Sequence, residues 1–210
     1  MSEPLKILLL GPQGSGKGTQ AKILERELRI PAFSMGQLLR DEAASGSELG
    51  REIDRIISGG NLVSDKVAAQ VLRARLSRPD VANGYILDGY PRSLEQANEF
   101  TFDKPTHVMV IEVPKDESMK RLGGRLTCFT CGRVYAMRDG HAAGDACECG
   151  GKMEVRTDDT PEAIEKRLKI YDEETEPLIA VYGGQGLVRR IDGVGSVEEI
   201  HNRIVKALER

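Results

Sequence analysis

Tryptophan is absent from this chain, and aromatic residues make up only 4% of its 210 residues. The interior must therefore be built from aliphatic side chains, and a hydrophobic fraction of 40% is enough for a sizeable core and excludes a disordered chain. No apolar run approaches the ~20 residues that cross a bilayer, and the first residues lack the layout of a signal peptide. We therefore expect a cytoplasmic protein with no membrane partner.

An excess of positive charge is also missing. The net charge is −3 and the isoelectric point is near 5.8, so the surface as a whole does not attract nucleic acid or anionic lipid. A site for anionic ligands must therefore concentrate its cations locally. Nothing in the sequence indicates a large apolar interface, and a monomer is the expected state.

Short apolar runs alternate with helical patterns along most of the chain. The runs predicted to be strands are Leu5–Leu10, Ile30–Phe33, Tyr85–Asp88, His107–Val113 and Leu187–Ile191. Unbroken apolar strands between helices predict an α/β fold with a parallel sheet covered on both faces, whose ligands bind at the C-terminal ends of the strands. Residues 127–157 break this alternation, because they hold the cysteines, many glycines and no helical period, and they are predicted to be a separate insertion.

Several helix starts are marked by capping residues, because a Ser or Thr side chain can accept a hydrogen bond from the first turn. Capping boxes are predicted for Ser34 with Gln37, Ser93 with Gln96 and Ser196 with Glu199, and Thr160 before Pro161 is predicted to be a further cap.

The most informative segment is Gly-Pro-Gln-Gly-Ser-Gly-Lys-Gly-Thr at 11–19, between an apolar strand and a helical pattern. Its glycines allow a tight bend that turns backbone N–H groups inward, and these groups, the helix N-terminus and Lys17 can cradle phosphates. The alternative is a flexible turn with a chance lysine. The general pattern places Ser or Thr directly after the lysine as a Mg²⁺ ligand, whereas Gly18 stands there and Thr19 follows, which weakens a direct protein ligand to the metal.

A second motif, Asp-Gly-Tyr-Pro-Arg at 88–92, follows the predicted strand Tyr85–Asp88. A carboxylate at a strand end beside a phosphate loop can orient the water shell of Mg²⁺. Arg92 offers a planar fork that suits a phosphate. An ordinary Asp-Gly turn is the alternative, and the phosphate loop upstream favours the functional interpretation.

In this order, the motifs resemble those of the adenylate kinase family over nearly the whole chain. Its further markers stand here as Ser-Met-Gly-Gln-Leu-Leu-Arg at 34–40, Arg121, Arg125, and Arg-Thr-Asp-Asp at 156–159 leading to Arg167. The resemblance implies a P-loop kinase fold with a five-stranded parallel sheet flanked by helices. It also implies a core of residues 1–33, 64–125 and 161–210, an AMP-binding flap at 34–63 and a lid at 126–160. The implied reaction is reversible phosphoryl transfer from Mg-ATP to AMP, giving two ADP.

The resemblance also implies roles for basic residues, since phosphoryl transfer needs mainly positioning and charge neutralisation. Lys17 is expected on the ATP β- and γ-phosphates, Arg40 and Arg92 on the AMP phosphate, and Arg121 against the ATP adenine. Arg125, Arg156 and Arg167 are expected at the transferring group, the last two also at AMP, with Asp88 at the Mg²⁺ shell. Other implied ATP contacts are Gly14, Ser15, Gly16, Gly18, Thr19, Val134, Tyr135 and Gly195. Other implied AMP contacts are Met35, Asn61, Leu62, Val63, Gly89, Tyr90 and Pro91.

Some positions allow two interpretations. By the resemblance, Gln96 reads the adenine of AMP, but it also has the spacing of a capping-box residue after Ser93. Val134 and Tyr135 are explained equally well by packing inside the lid. Met35 and Gln37 stand where the family usually has Thr or Ser and Asp; Met35 replaces a hydroxyl near the base by a flexible thioether. We expect AMP to remain preferred because Gln96 is retained.

The chain's four cysteines form two pairs, Cys128 with Cys131 and Cys147 with Cys149. In a cytosolic protein, clustered pairs favour a metal over a disulfide. Many bacterial adenylate kinases hold Zn²⁺ at this place with four such ligands, and four thiolates make a closed structural site. The second pair is separated by one residue where the family normally has two. Reduced free thiols and a disulfide remain alternatives, and His141 is either a substitute ligand or a solvated loop residue.

Three other functions are compatible with parts of the sequence. They are a kinase for another nucleoside monophosphate, a zinc-ribbon ATPase that binds nucleic acid, and a nucleotide sensor without catalysis. The acidic composition disfavours the second, and the full set of arginines disfavours the third.

Overall fold

Strands and helices alternate in the computed structural model, which describes residues 3–58, 63–156 and 159–209. In chain order the strands are β1 Leu5–Leu10, β2 Ala32–Ser34, β3 Gly84–Asp88, β4 His107–Glu112, β5 Arg125–Cys128, β6 Val134–Ala136, β7 Met153–Glu154 and β8 Val188–Asp192. The α-helices are α1 Lys17–Leu28, α2 Met35–Ala44, α3 Glu48–Ser58, α4 Asp65–Leu76, α5 Leu94–Glu99, α6 Lys115–Gly123, α7 Pro161–Ile170, α8 Glu176–Gly184 and α9 Val197–Leu208. A single π-helical turn, Tyr171–Thr175, joins α7 to α8.

The central sheet has five parallel strands in the order β2-β3-β1-β4-β8, which confirms the predicted fold class. Leu9 of β1 lies opposite Asp88 of β3 and Met109 of β4, so these strands end at the same edge of the sheet. The predicted strands are found within two residues of their expected bounds. The chain segments that follow β1 and β3 are the two nucleotide motifs, and both therefore lie at this edge.

Apolar side chains cover both faces of the sheet. Leu8 and Leu10 point into one buried cluster with the flap-side helices, and Ile7 and Leu9 point into another with α1 and α9. This alternation follows from the strand geometry, in which neighbouring side chains face opposite sides. The aliphatic core expected from the composition is therefore present, and it holds the strand ends in place.

All four predicted helix caps are formed, each by a side-chain oxygen that accepts from the backbone N–H three residues later. The donors are the backbone N–H groups of Gln37, Gln96, Ala163 and Glu199. The complete capping box exists at Ser196. The side chains of Gln37 and Gln96 make other hydrogen bonds, so the capping boxes predicted at Ser34 and Ser93 were wrong in their second half.

The region of the cysteines has a small antiparallel sheet of its own, in the order β6-β5-β7. Its strands have two to four residues, too short to leave a pattern in the sequence. Among the described residues, no helix is long and apolar enough to cross a membrane.

Candidate functional site

The loop between β1 and α1 forms a backbone cradle. Gly11 has a φ of 140°, and a Cβ at this position would lie 2.3 Å from the carbonyl oxygen of Ile111, so only glycine fits there. Gly16, with a φ of 92°, precedes the first residue of α1. Gly14 and the buried Ser15 lie within the loop, while Gly18 and Thr19 belong to the first turn of the helix. The helix N-terminus therefore faces the edge of the sheet where an anion can bind.

Lys17 is folded onto this loop. Its ammonium donates to the carbonyl oxygens of Gly11 at 2.8 Å and Pro12 at 2.7 Å. The pKa of Lys17 falls to about 8, chiefly because of burial; the charge of Asp88 opposes this fall, and the charges of Arg92 and Arg125 contribute to it. The ammonium thus has uncharged acceptors that phosphate oxygens can replace.

Asp88 ends β3 beside the start of α1. A Cβ at Gly18 would lie 3.4 Å from Oδ2 of Asp88, so the two motifs are in close contact. Burial raises the pKa of Asp88, and Lys17 and Arg92 counteract this rise. Asp88 is therefore a carboxylate that loses water on folding and gains cationic neighbours, an environment that also favours a divalent cation.

The predicted arginines converge on the same edge. Arg92 bonds through Nε to the carbonyl oxygen of Gly89 at 2.6 Å. Loss of solvent lowers the pKa of the Arg92 guanidinium; Arg167 and Arg156 lower it too, while Asp88 raises it. These charges repel each other in the absence of a ligand. A polyphosphate that binds here neutralises these charges and relieves their repulsion, which favours its binding.

Asp159 joins two of these arginines. Arg125 binds it with two hydrogen bonds of 2.7 Å each, and Arg167 donates to the same carboxylate at 2.8 Å. The Asp159 side chain is only 1% exposed. It connects β5 of the small sheet to α7 of the core. Asp159 is part of the motif at 156–159. The sequence does not show that it bridges two arginines, because this depends on how the fold brings Arg125 and Arg167 together.

Arg121 and Gly195 lie on the other side of the loop. Arg121 pairs with Glu117 one turn earlier on α6 and donates to the carbonyl oxygen of Gly193 at 3.0 Å. Its second terminal nitrogen is 3.5 Å from the carbonyl oxygen of Gly14. Gly195 follows Gly193 in the loop from β8 to α9. Arg121, the predicted contact of the ATP adenine, therefore adjoins the phosphate cradle.

Several predicted AMP contacts lie on α2 or pack near it. Arg40 on α2 receives support from Gln37, whose Oε1 accepts from Arg40 at 2.8 Å and whose Nε2 donates to Asp41 at 2.8 Å. Met35 is 7% exposed and, like the partly buried Val63, packs in the core cluster. Asn61 and Leu62, also predicted to contact AMP, lie outside the described residues, as do Thr157 and Asp158.

The turn after Asp88 is packed firmly. The amide of Gly89 donates to the carbonyl oxygen of Leu9 at 3.0 Å, Tyr90 is 1% exposed, and Pro91 is buried. Thr175 of the π-helical turn donates to the carbonyl oxygen of Arg92 at 2.7 Å. Arg92 is thus fixed at its backbone while its guanidinium faces the other cations.

Gln96 is the third residue of α5 and lies in its first turn. Its Oε1 accepts from the backbone N–H of Arg92 at 2.9 Å, and its Nε2 donates to Asp65 of α4 at 3.0 Å. Because Oε1 accepts from Arg92, Gln96 does not complete the predicted capping box with Ser93, and its contact with adenine stays a prediction. The amide supports the entry to the helix through Arg92, and the same contacts hold it in one orientation.

The four cysteine sulfurs lie within 4.8 Å of one another. Cys128 Sγ is 3.5 Å from Cys149 Sγ, and Cys131 Sγ is 3.6 Å from Cys147 Sγ, both far longer than a disulfide bond of ~2.05 Å. The disulfide alternative is thus not realised here. The shortened second pair still reaches the cluster, because the Gly150 amide closes a turn on the carbonyl oxygen of Cys147 at 2.8 Å.

Hydrogen bonds favour the thiolate at Cys147, whereas hydrogen bonds with the other cysteines raise the pKa of Cys149 to about 12. The pKa of Cys147 falls to about 6, chiefly because the backbone N–H of Cys149 donates to it, with a further contribution from the Tyr135 hydroxyl at 3.1 Å. Tyr135 packs inside the small sheet, and His141 lies edge-on against its ring, 4.9 Å away, rather than joining the cysteines. Val134 is 44% exposed on the same strand.

Known proteins resemble this chain along nearly its full length. The family model for adenylate kinase matches residues 9–187. The chain is 41% identical to an adenylate kinase of Methanothrix thermoacetophila, over 98% of this chain and 99% of that protein. It is 40% identical to one of Thermodesulfovibrio yellowstonii, over 98% of this chain and 100% of that protein. An adenylate kinase of Syntrophotalea carbinolica is 41% identical over 97% and 98% of the two chains.

Proposed function

The chain belongs to the adenylate kinase family, and we propose that its convergent cations carry out phosphoryl transfer from ATP to AMP, giving two ADP. The observation that carries the assignment is the position of Lys17, Arg92, Arg125 and Arg167 around one sheet edge in a protein of net charge −3. A protein that only binds a nucleotide does not require this many charges at the point of transfer.

The residues act by position and charge rather than by a covalent step. Lys17 and the loop amides hold the β- and γ-phosphates of ATP. Arg92 and Arg40 hold the AMP phosphate as the acceptor. Arg125, Arg156 and Arg167 neutralise the charge that spreads over the transferring group. Because the two phosphates then face each other within a preorganised positive field, the AMP oxygen attacks the γ-phosphorus in line and ADP leaves.

Magnesium is the expected companion of ATP. When bound, Mg²⁺ would supply positive charge that neutralises the phosphate oxygens during transfer. Asp88 fits this ion, since it is a partly buried carboxylate beside the start of α1, and Mg²⁺ prefers oxygen ligands while keeping several waters. Gly18 has no hydroxyl to offer, so contact through the water shell of the ion fits the site better than direct coordination by the residue after Lys17.

The small sheet serves as the lid. It carries Arg125 at the start of β5, and Asp159 links this arginine to Arg167 of the core. Closure of the lid over ATP excludes water, which prevents hydrolysis from competing with transfer. We therefore expect ATP hydrolysis without AMP to be far slower than transfer.

Structural zinc in the lid is the best use of the cysteine cluster. Four sulfurs at ~2.3 Å from a central ion in tetrahedral geometry lie about 3.8 Å apart, and two of the Sγ–Sγ distances are 3.5 and 3.6 Å. Zinc bound to four thiolates supplies a cross-link and has no open position for catalysis. We propose this site together with a monomeric, cytoplasmic enzyme.

The test is ADP formation from ATP with AMP, UMP, CMP and GMP in turn, for the wild type and Lys17→Ala. Lys22→Ala is the matched control, because this lysine lies on the same helix but is 60% exposed at its side chain. AMP should be the fastest acceptor, and Lys17→Ala should lose at least ~10³-fold in turnover while its circular dichroism stays unchanged. A faster pyrimidine substrate, or full activity of Lys17→Ala, would refute the proposal.

A further inference from the structure

The amide of Gln96 is held on both sides by groups of fixed hydrogen-bonding character. The backbone N–H of Arg92 reaches Oε1 at 2.9 Å, and the carboxylate of Asp65 accepts from Nε2 at 3.0 Å. Asp65 is the first residue of α4 and lies 31 positions away from Gln96 in the chain. Both side chains are partly buried between α4 and α5.

These neighbours allow only one orientation of the amide. A backbone N–H can only donate, and an ionised carboxylate can only accept. Rotating the amide by 180° would place Nε2 against the Arg92 N–H and Oε1 against the Asp65 carboxylate, so both hydrogen bonds would become repulsive. Of the two lone pairs and two N–H groups of the amide, one lone pair and one N–H remain for a ligand.

Those two remaining groups match adenine and mismatch a 6-oxopurine. Adenine presents an amino donor at C6 and an acceptor at N1, whereas hypoxanthine and guanine present an acceptor at C6 and a donor at N1. A freely rotating glutamine can satisfy either base by turning over. A glutamine fixed in one orientation satisfies one of them and leaves unpaired polar groups against the other.

We propose that Asp65 is a positioning residue that makes this enzyme discriminate adenine from 6-oxopurines by fixing the orientation of Gln96. The proposal deepens the proposed function and rests on it, because it requires that Gln96 faces the base of the acceptor nucleotide. Asp65 does not touch the base. It acts through Gln96 and has no part in the transfer itself.

Asp65 also has a structural role that is separate from the orientation of Gln96. It stands in the first turn of α4 after the cap residue Ser64, where a negative charge favours the helix. Its bond to Gln96 also ties α4 to α5. A purely structural residue would affect stability and all acceptor nucleotides equally, whereas a positioning residue changes the ratio between two bases.

The experiment compares AMP with IMP in the wild type and in Asp65→Asn, at saturating ATP. IMP carries hypoxanthine, which reverses the donor and acceptor at C6 and N1 without adding another group. An asparagine amide can donate or accept, so Asp65→Asn removes one of the two contacts that fix the orientation of Gln96 and lowers the cost of turning the amide over, while the Arg92 N–H is unchanged. We expect the ratio of kcat/KM for AMP to that for IMP to fall at least about tenfold, with KM for ATP unchanged.

Two further variants make the result decisive. Glu99→Gln is the matched control, because Glu99 and Asp65 both raise the pKa of the neighbouring Tyr90 by their charge, after the larger effect of burial. It removes the same charge from the same region and should keep the wild-type ratio. Gln96→Ala should lose the preference altogether. If Asp65→Asn does not fold, Asp65→Ser provides a hydroxyl that likewise donates or accepts.

Each outcome bears on one hypothesis. An unchanged AMP to IMP ratio in Asp65→Asn, with the ratio lost in Gln96→Ala, would overturn the role of Asp65 and leave the proposed function intact. An equal fall in Glu99→Gln would overturn it as well, because charge alone would then explain the effect. If Gln96→Ala keeps the wild-type ratio, Gln96 does not read the base. A wild type that makes no ADP from AMP would refute the proposed function itself.

Discussion

The core and the lid of this protein are stabilised in different ways. The core sheet is covered on both faces by aliphatic side chains such as Ile7 and Leu8, which are fully buried. The buried cluster described in the lid comprises Leu126, Met153 and two cysteines, with Tyr135 packed against it. Apolar burial stabilises a fold roughly in proportion to area, so the lid gains far less from this source.

This difference explains why the cysteines lie where they do. A segment with strands of two to four residues cannot offset its loss of conformational entropy by packing alone. The zinc site that we propose would add the missing stability at this place. The proposed lid could then be small and still keep Arg125 in a defined position.

Removal of zinc should produce the largest difference between the stability of the lid and that of the core. Structural zinc contributes apparent folding free energies of about 10–16 kcal/mol in small zinc peptides, more than the lid core can replace. We expect chelation to unfold residues 126–160 while the core retains its structure. Transfer should fall at least ~10²-fold, because Arg125 is then misplaced. Hydrogen exchange on metal-free and zinc-loaded protein measures which amides lose protection.

The matched control for chelation is a variant in which Cys131 and Cys149, the two exposed cysteines, are both serine. It should behave as the chelated protein without any reagent. Zinc content near zero in protein purified without added metal, together with full lid protection, would contradict the structural role.

Truncating a buried leucine to alanine should give the second largest difference between the unfolding of the two regions. Leu9 of the core and Leu126 of the lid are both 0% exposed. Leu9→Ala should lower the free energy of global unfolding by about 2–5 kcal/mol. Leu126→Ala should leave the main urea transition in place and weaken zinc retention instead. Because the chain lacks tryptophan, circular dichroism is the appropriate signal. Equal shifts in both variants would show that lid and core unfold as one unit.

The same division governs what could be predicted from sequence. Strands such as Leu5–Leu10 were predictable because burial on both faces requires an unbroken apolar run. The cysteine cluster was predictable from spacing. The lid strands were not, because their residues alternate over too few positions, and neither was the pairing of Asp65 with Gln96, which depends on how two helices pack. The bridging role of Asp159 required the fold for the same reason.

Tyr135→Phe tests whether the lid site depends on more than its four ligands. The Tyr135 hydroxyl lies 3.1 Å from Cys147 Sγ, and this hydrogen bond raises the pKa of Tyr135. Loss of such an outer hydrogen bond typically lowers metal affinity by 10–100-fold, about the range expected here. Competition with a chromophoric chelator measures it. Core stability should not change, and an unaltered zinc affinity would show that the hydroxyl only fills space.

The pH dependence of catalysis should be the smallest perturbation, because a single lysine of the core titrates among arginines that keep their charge. Burial lowers the pKa of Lys17 to about 8, so in the free enzyme it is charged below this pH and loses its proton above it. Arginine stays charged throughout. We therefore expect kcat/KM for ATP, which reports the free enzyme, to be level below pH 8 and to decline by about tenfold per unit well above it. Lys17→Arg should have lower activity but no such decline between pH 8 and 10, whereas a wild-type profile that stays level to pH 10 would show that Lys17 does not set the pH dependence.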